Sequence, residues 1–371
     1  MAKTNPTTPK STTQPAAPKT IAITPRTQRA GTKGLDVALQ GGGAHGAFTW
    51  GVLDYFLEQE KDIHLDGICG TSAGAMNSVI MAYGLMQGGN ERARELLTEF
   101  WSRISKTGDQ FPMFKPTPMD KLFGNGNLDY SPFYKWMEMM MQFSSPYHWN
   151  PFDINPLRDL LLDMVDFDTL RSCKQTQLFV CATNVLKGRL RVFSLKDLTV
   201  DAVLASACLP FIYKAIVIDG EPYWDGGYMG NPPLFPLIDN TPTGDILIVQ
   251  INPINIDETP TEAADIHDRI NEISFNSSLM LELRKVRFID KLQNLGVDLS
   301  PAGHFKRIRL HLINPGPTIA KLNISSKLNT DWDFLTHLRD TGRAHAKDWL
   351  DKNYDFIGVK PTCDVDADYL R

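Results

Sequence analysis

Residues 35–48 read LDVALQGGGAHGAF and residues 68–76 read ICGTSAGAM. Each is an apolar run that stops abruptly at glycine. In the first, Gly41, Gly43 and Gly46 match G-x-G-x-x-G, the spacing of a loop that cradles a dinucleotide's pyrophosphate. In the second, Gly70-Thr71-Ser72-Ala73-Gly74 matches G-x-S-x-G, which sets a serine on a sharp strand-to-helix turn. Small neighbours leave room for that turn, and the hydroxyl stands at the N-terminus of the next helix, where the dipole favours developing negative charge. Around these turns, Leu35–Gln40 and Ile63–Cys69 read as short buried strands. Ala44–Glu60 and Ala73–Gln87 have helical spacing, the first through Ala47, Trp50, Leu53, Phe56 and Leu57. Strand, glycine turn and helix, repeated at once, predict a parallel sheet with crossover helices.

The two turns decide each other's meaning. A dinucleotide site wants an acid at the carboxyl end of the second strand, about 20 residues beyond the last glycine. Asp66 has the spacing but precedes Ile68 and Cys69, at the wrong end of that strand. The carboxyl end carries Ser72 instead. Adjacent parallel strands set both turns side by side at the carboxyl edge of the sheet, so amides of Gly42, Gly43 and Ala44 can face an oxyanion formed above Ser72. The glycine loop reads as an oxyanion hole.

The rest of the composition narrows the class. The chain has 371 residues, 42% hydrophobic and 22% charged, with net charge −5. That is enough apolar content for a large core and gives no basic field for a nucleic-acid partner. No window approaches the length of a transmembrane helix. Five scattered cysteines without C-x-x-C fit neither a disulfide framework nor a thiolate zinc site, and point to a reduced, cytoplasmic compartment. Residues 1–33 hold five prolines, nine threonines, six Lys or Arg and no acid. This composition predicts a disordered basic tail, with targeting or attachment to an anionic surface as the other readings.

A serine nucleophile needs a base. His304, His311, His337 and His345 are late enough for a triad, but none lies in a tight catalytic turn. Asp225-Gly226-Gly227 follows an apolar stretch and is either a catalytic loop acid or an ordinary turn aspartate. At its ordinary pKa near 4, such an aspartate is ionised at neutral pH and is a weak base.

GGGAHG, then GTSAG, then ASACLP at Ala205–Pro210, then Asp225-Gly226-Gly227 with Asn231-Pro232-Pro233 resembles the patatin-like phospholipases in order, spacing and context. The resemblance covers roughly residues 35–240. It implies a three-layer α/β/α fold with a mainly parallel central sheet, and a Ser-Asp dyad in place of a triad. Ser72 would be the nucleophile, framed by Gly70, Thr71, Ala73 and Gly74. Asp225 would be the base, followed by Gly226 and Gly227. Gly41, Gly42, Gly43, Ala44, His45 and Gly46 would form the oxyanion loop. One position departs: the family usually carries Arg or Lys where this chain has His45, so the loop lacks a fixed charge for a phosphate-bearing substrate.

Residues 241–371 read as a C-terminal extension packed on the catalytic domain, weakly similar to extensions in some bacterial members. It holds strands at Asp245–Ile251 and Arg307–Ile313 and helices at Ile266–Leu295 and Asp333–Asn353. Between Ser102 and Pro156 lies an insertion rich in Phe, Trp, Met and Pro. Its segment 133–143 is apolar almost all round, and reads as a lid, an acyl-chain wall, or a helix packed on the core.

The function expected is serine lipid acyl hydrolysis, on a lipid or acyl-ester substrate. The alternatives are a catalytically silent lipid-binding or scaffold protein on the same fold, and a hydrolase of another ester. No metal-ligand spacing appears and no cofactor is required. Peripheral contact with a membrane surface is left open.

Overall fold

The structure is a computed structural model and describes residues 32–297 and 306–370. His304 and all of the N-terminal tail except Thr32 and Lys33 lie outside the described residues. Eight strands form one sheet: β1 Lys33–Leu39, β2 Ile63–Gly70, β3 Gln177–Asn184, β4 Arg189–Ser194, β5 Ile216–Ile218, β6 Glu221–Asp225, β7 Asp245–Val249 and β8 Arg309–Ile313. Their order is β5-β6-β3-β2-β1-β7-β8, with β4 also paired to β3. The pairings β3–β2, β2–β1, β1–β7 and β7–β8 are parallel; β3–β4, β3–β6 and β5–β6 are antiparallel.

Strand alternation builds the three layers. Leu35, Val37, Leu39, Ile68, Val180, Leu247 and Val249 face one side of the sheet. They meet Trp50 and Leu53 of α1 (Gly46–Glu58), Ile80 and Leu97 of α2 (Ala73–Gly108), and a helix from the chain's end described below. The intervening residues Ala38, Cys69, Phe179, Ile246 and Ile248 face the other side. With both faces covered, the strands read as continuous apolar runs.

Two helices differ from the sequence expectation. The segment from Ala44 begins as a 3₁₀ turn, Gly43–His45, before α1 proper. The second helix does not stop at Gln87. Gly88 and Gly89 leave helical geometry, Gly89 at φ 72°, and a second helical stretch then runs on to Gly108. Glycine at a left-handed position makes that break cheap.

The insertion therefore starts after Gly108. It contains α3 (Pro118–Phe123), α4 (Pro132–Phe143) and α5 (Pro146–Trp149). Thr117 caps α3 in a box with Asp120, and Ser131 caps α4 by accepting from the Tyr134 amide, with proline at the first helical position of each. α4 does not pack on the main core. Its Tyr134 and Met137 join Leu128 in a separate small cluster against Met113, Phe114 and Leu328. Phe133, Trp136, Met139 and Phe143 on its other face are exposed.

The chain continues through α6 (Pro156–Met164), α7 (Phe167–Leu170), α8 (Val200–Ser206), α9 (Phe235–Asn240), α10 (Ala263–Asn294), α11 (Pro317–Ala320) and α12 (Trp332–Asn353). Leu237 of α9 and Leu279 and Leu283 of α10 cover the second face of the sheet, while Leu335 and Leu350 of α12 complete the layer on the first. No described helix is long and apolar enough to cross a membrane.

Candidate functional site

β1 and β2 end side by side, so the glycine loop and the G-x-S-x-G turn touch. A Cβ on Gly41 would lie 2.5 Å from the Ser72 Cβ, so only glycine lets the two turns approach this closely. Ser72 itself sits at φ 54°, ψ −123°, a conformation that costs a non-glycine residue of order 1–3 kcal/mol. Its neighbours hold it there. The Ser72 amide donates to Ser206 Oγ at 2.9 Å, and Thr71 Oγ1 donates to the Gly230 carbonyl at 2.8 Å. The Gly74 amide donates to the Thr71 carbonyl at 2.8 Å, closing the turn into α2. Gly70 ends β2, and Ala73 and Gly74 open the helix. Ser72 is 8% exposed.

Asp225 ends β6, opposite Ala182 of β3. Its amide donates to the Cys208 carbonyl at 2.8 Å, and its carbonyl accepts from Thr183 Oγ1 at 2.8 Å. The side chain is fully buried. Oδ1 accepts from the Gly227 amide at 2.7 Å, while Gly226 packs its bare Cα against the β3 backbone at Cys181. Oδ2 is buried with no hydrogen-bond partner. The Ser72 hydroxyl is nonetheless among the groups that stabilise the Asp225 carboxylate. The two side chains therefore face each other at a longer or less aligned contact than a formed hydrogen bond. Slack of this kind is common in an acyl-transfer site before substrate tightens it.

Burial pushes the Asp225 pKa up to about 7, against the opposing pull of the Gly227 amide, the Ser72 hydroxyl and Lys327. This corrects the expectation of a weak base with an ordinary pKa. A carboxylate titrating near neutrality is matched to proton transfer at neutral pH.

The glycine loop divides into anchoring and free amides. The Gly41 amide donates to Asn231 Oδ1 at 2.7 Å, so it is not available to a substrate. The Gly41 carbonyl accepts from Asn252 Nδ2 at 2.8 Å. Gln40 fixes the preceding step: its Oε1 accepts from the Ile251 and Asn252 amides and its Nε2 donates to the Asn231 carbonyl. The Gly46 amide turns back onto the Gly43 and Ala44 carbonyls. Among the described residues, the amides of Gly42, Gly43 and Ala44 have no protein acceptor. They are free to donate to a ligand.

His45 turns away from Ser72. It is buried, its Nε2 lies 2.7 Å from Ser326 Oγ, and burial with the nearby Lys327 charge lowers its pKa to about 3. It stays neutral. Gly43, at φ 58°, packs against the Lys327 carbonyl, which a Cβ would approach to 2.3 Å. The segment bearing Ser326 and Lys327 is thus the outer wall of the loop.

The late histidines among the described residues lie elsewhere. His311 on β8 is buried, with Nε2 3.1 Å from Asp245 Oδ1 and Nδ1 2.8 Å from Thr362 Oγ1. His345 sits edge-on to Phe48, and His337 is exposed on α12. Asp66, the acid a dinucleotide reading would need, lies within β2, where its electrostatic neighbours are Asp36 and Lys306. Cavities of about 260 Å³, beside Leu57, Ile63 and Leu85, and 180 Å³, beside Phe235 and Val286, are lined by none of the site residues. Chemistry, not cavity size, locates the site.

Sequence reasoning missed Ser206, Asn231, Asn252 and Lys327. The first two lie inside ASACLP and the Asn-Pro-Pro run, so their motifs were signals without an assigned role. Nothing local marks Asn252 or Lys327.

The chain resembles known proteins. Residues 37–238, more than half of the chain, match the family model described as patatin-like phospholipase. The chain belongs to that family, whose members are lipid hydrolases. Among solved structures it is similar to VipD from Legionella pneumophila, at 16% identity and TM-score 0.41, over 86% of this chain and 67% of that one. It is also similar to the ExoU–SpcU complex from the type III secretion system of Pseudomonas aeruginosa, at 15% identity and TM-score 0.38, over 88% of this chain and 52% of that one. No curated protein matches significantly.

Proposed function

We propose that the chain is a serine carboxylic ester hydrolase of lipids, with Ser72 as nucleophile and Asp225 as its base. The observation that carries this reading is the pairing of a strained, hydroxyl-bearing elbow with a buried carboxylate whose Oδ2 has no other partner. Ser72 Oγ attacks the ester carbonyl while its proton passes to Asp225 Oδ2. The free amides of Gly42, Gly43 and Ala44 receive the oxyanion. Collapse expels the alcohol, which takes the proton back from Asp225, and leaves an acyl group on Ser72. Water then attacks that acyl group, giving its proton to Asp225, and the fatty acid leaves as Ser72 Oγ is reprotonated. Two buried groups and a row of amides suffice for every proton moved.

The insertion supports a membrane-facing surface. It is moored on one side of the site by the Leu128 amide donating to Ser325 Oγ at 2.8 Å. On the other it is moored by Lys214 Nζ donating to the Pro151 carbonyl at 2.8 Å. Between these points Phe133, Trp136, Met139 and Phe143 are exposed, as is Phe152 just beyond them, an aromatic-rich set suited to a lipid interface. Such a surface makes the protein peripheral to a bilayer.

The test is labelling with a fluorophosphonate probe, followed by turnover of an ester series of graded chain length. Ser72→Ala should abolish labelling and cost roughly 10⁴–10⁶ in turnover while the protein stays folded. Labelling that persists in this variant would remove Ser72 from the mechanism. A wild-type protein that takes neither probe nor ester would instead be a silent binding protein.

A further inference from the structure

The glycine loop carries neutral His45 where a cation is usual in the family, yet the site does hold a cation. Lys327 reaches it from the 3₁₀ turn Ile324–Leu328, far outside the family-matched segment. Its Nζ donates to Asn252 Oδ1 at 2.9 Å and to Asn271 Oδ1 at 3.4 Å. Asn252 is the residue whose Nδ2 holds the Gly41 carbonyl, so the ammonium is one amide side chain away from the oxyanion loop. The Lys327 backbone carbonyl itself presses on Gly43.

Among the described residues, no carboxylate lies within ion-pair distance of Lys327. The nearest acids on the facing helix α10 are engaged otherwise: Asp268 Oδ2 accepts from the Ile324 amide at 3.0 Å, and Glu272 pairs with Arg269 at 2.9 Å. A partly buried ammonium whose contacts are two amide oxygens, one of them long, and the Phe275 ring at 5.9 Å from its centroid has no formal counter-charge in contact with it. Burial lowers the Lys327 pKa, against the longer-range pull of Glu272, Asp268 and Asp225; an ammonium held inside protein without an ion pair is costly, and such groups concentrate where a ligand supplies the counter-charge.

We propose that Lys327 is the anion-recognising residue of this active site, restoring from the C-terminal part of the chain the charge that position 45 lacks. It would take the phosphate of a lipid whose scissile ester sits over Ser72. This rests on the serine-hydrolase reading. Lys327 also helps keep Asp225 ionised. Among the described residues, the titratable groups whose charge couples to Asp225 are Lys327, Cys208 and Tyr228, and Lys327 is the basic one.

The experiment compares the full-length protein with Lys327→Met and Lys327→Arg on two substrates in nonionic mixed micelles. These are a phosphatidic acid and the diacylglycerol with the same acyl chains, assayed at pH 8.5, where Asp225 is ionised. The ratio of kcat/KM for the phosphate-bearing over the neutral substrate should fall roughly 10- to 100-fold in Lys327→Met, the worth of one charge-assisted hydrogen bond. Lys327→Arg should retain most of the ratio. On the neutral substrate, the rising limb of the pH–rate profile should move to higher pH in Lys327→Met. A ratio preserved within about threefold in a variant that still turns over the neutral ester would overturn the proposal. Loss of both activities in the wild type would instead sink the hydrolase reading beneath it. Lys327→Gln, which keeps a polar group of similar reach, serves if the methionine variant fails to fold, and the same ratio decides.

Discussion

Replacing Asp225 with Asn separates the chemical demand on this carboxylate from its structural burden. Asn keeps the shape and the Oδ1 acceptor for the Gly227 amide, but carries no charge. In wild type, burial raises the carboxyl pKa from 3.8 to about 7. The folded state therefore holds the proton more tightly than the unfolded chain does. The stability this contributes is fully present below pH ~4 and is lost as pH rises to ~7. The loss is 1.36 kcal/mol per pH unit, or ~4 kcal/mol over the whole interval. The Asn variant is spared it. Its amide nitrogen, sitting where Oδ2 found no partner, brings a penalty of about 1–3 kcal/mol, but one that does not vary with pH. The difference in unfolding free energy between Asp225→Asn and wild type should therefore grow with pH from 4.5 to 7 and then level off, as read by denaturant titration at each pH. Other titrating groups cancel in the difference. In parallel, wild-type kcat/KM on a soluble short-chain ester should rise up to tenfold per pH unit below ~7 and flatten above it, with the Asn variant lower by several orders throughout. A stability difference flat across pH 4.5–7 would refute a desolvated Asp225. A wild-type rate profile without the limb near 7 would refute its role as base.

Gly43→Ala should cost about 10²-fold in turnover, because a Cβ at this left-handed position meets the Lys327 carbonyl; unchanged rates with a lipid ester would free the loop of any catalytic part. Excess chelator should leave initial rates unaltered, since backbone amides serve the oxyanion, and activity that returned only with Ca²⁺ would assign that task to a metal. Phe133→Ser, Trp136→Ser and Phe143→Ser combined should reduce turnover on anionic phospholipid vesicles at least tenfold while sparing a soluble ester. Equal loss on both would mean that the exposed face of α4 serves the fold or the pocket rather than a bilayer.

What could be read in the sequence was what a few consecutive residues impose on their own backbone. A serine between small residues after an apolar strand has one productive geometry, and Ser72 adopts it. Three glycines after β1 foretold a close approach, and Gly41 makes it against Ser72. Asp225 could be located by its glycines but not weighed, because its pKa is set by complete burial under β3 and the segment around Cys208, which no local pattern reveals. The same limit hid the division of labour in the loop. Asn231 and Asn252 claim Gly41 from about 190 and 210 residues away. The break at Gly88–Gly89 was visible as a stop, but that a second helical stretch follows it without a loop depends on Leu96, Leu97 and Phe100 finding the main core. α4 was apolar enough to suggest a helix on the main core, yet its partners are Met113, Phe114 and Leu128 of its own neighbourhood and Leu328 from far along the chain.

The wall that Lys327 builds against Gly43 has a consequence in time as well as in space. Ser72 and Lys327 are about 250 residues apart, and a ribosome adding ~5–20 residues per second needs roughly 10–50 s to cover that gap. Throughout this interval the nascent chain carries its serine elbow beside a loop without its outer wall, and β1 without the strand β7 that borders it until residue 249 has emerged. Under the proposed chemistry, a half-made copy holds its nucleophile but not yet the residue that recognises a phosphate. A product truncated before the 3₁₀ turn Ile324–Leu328 would keep Ser72 and Asp225 but lack the wall against Gly43.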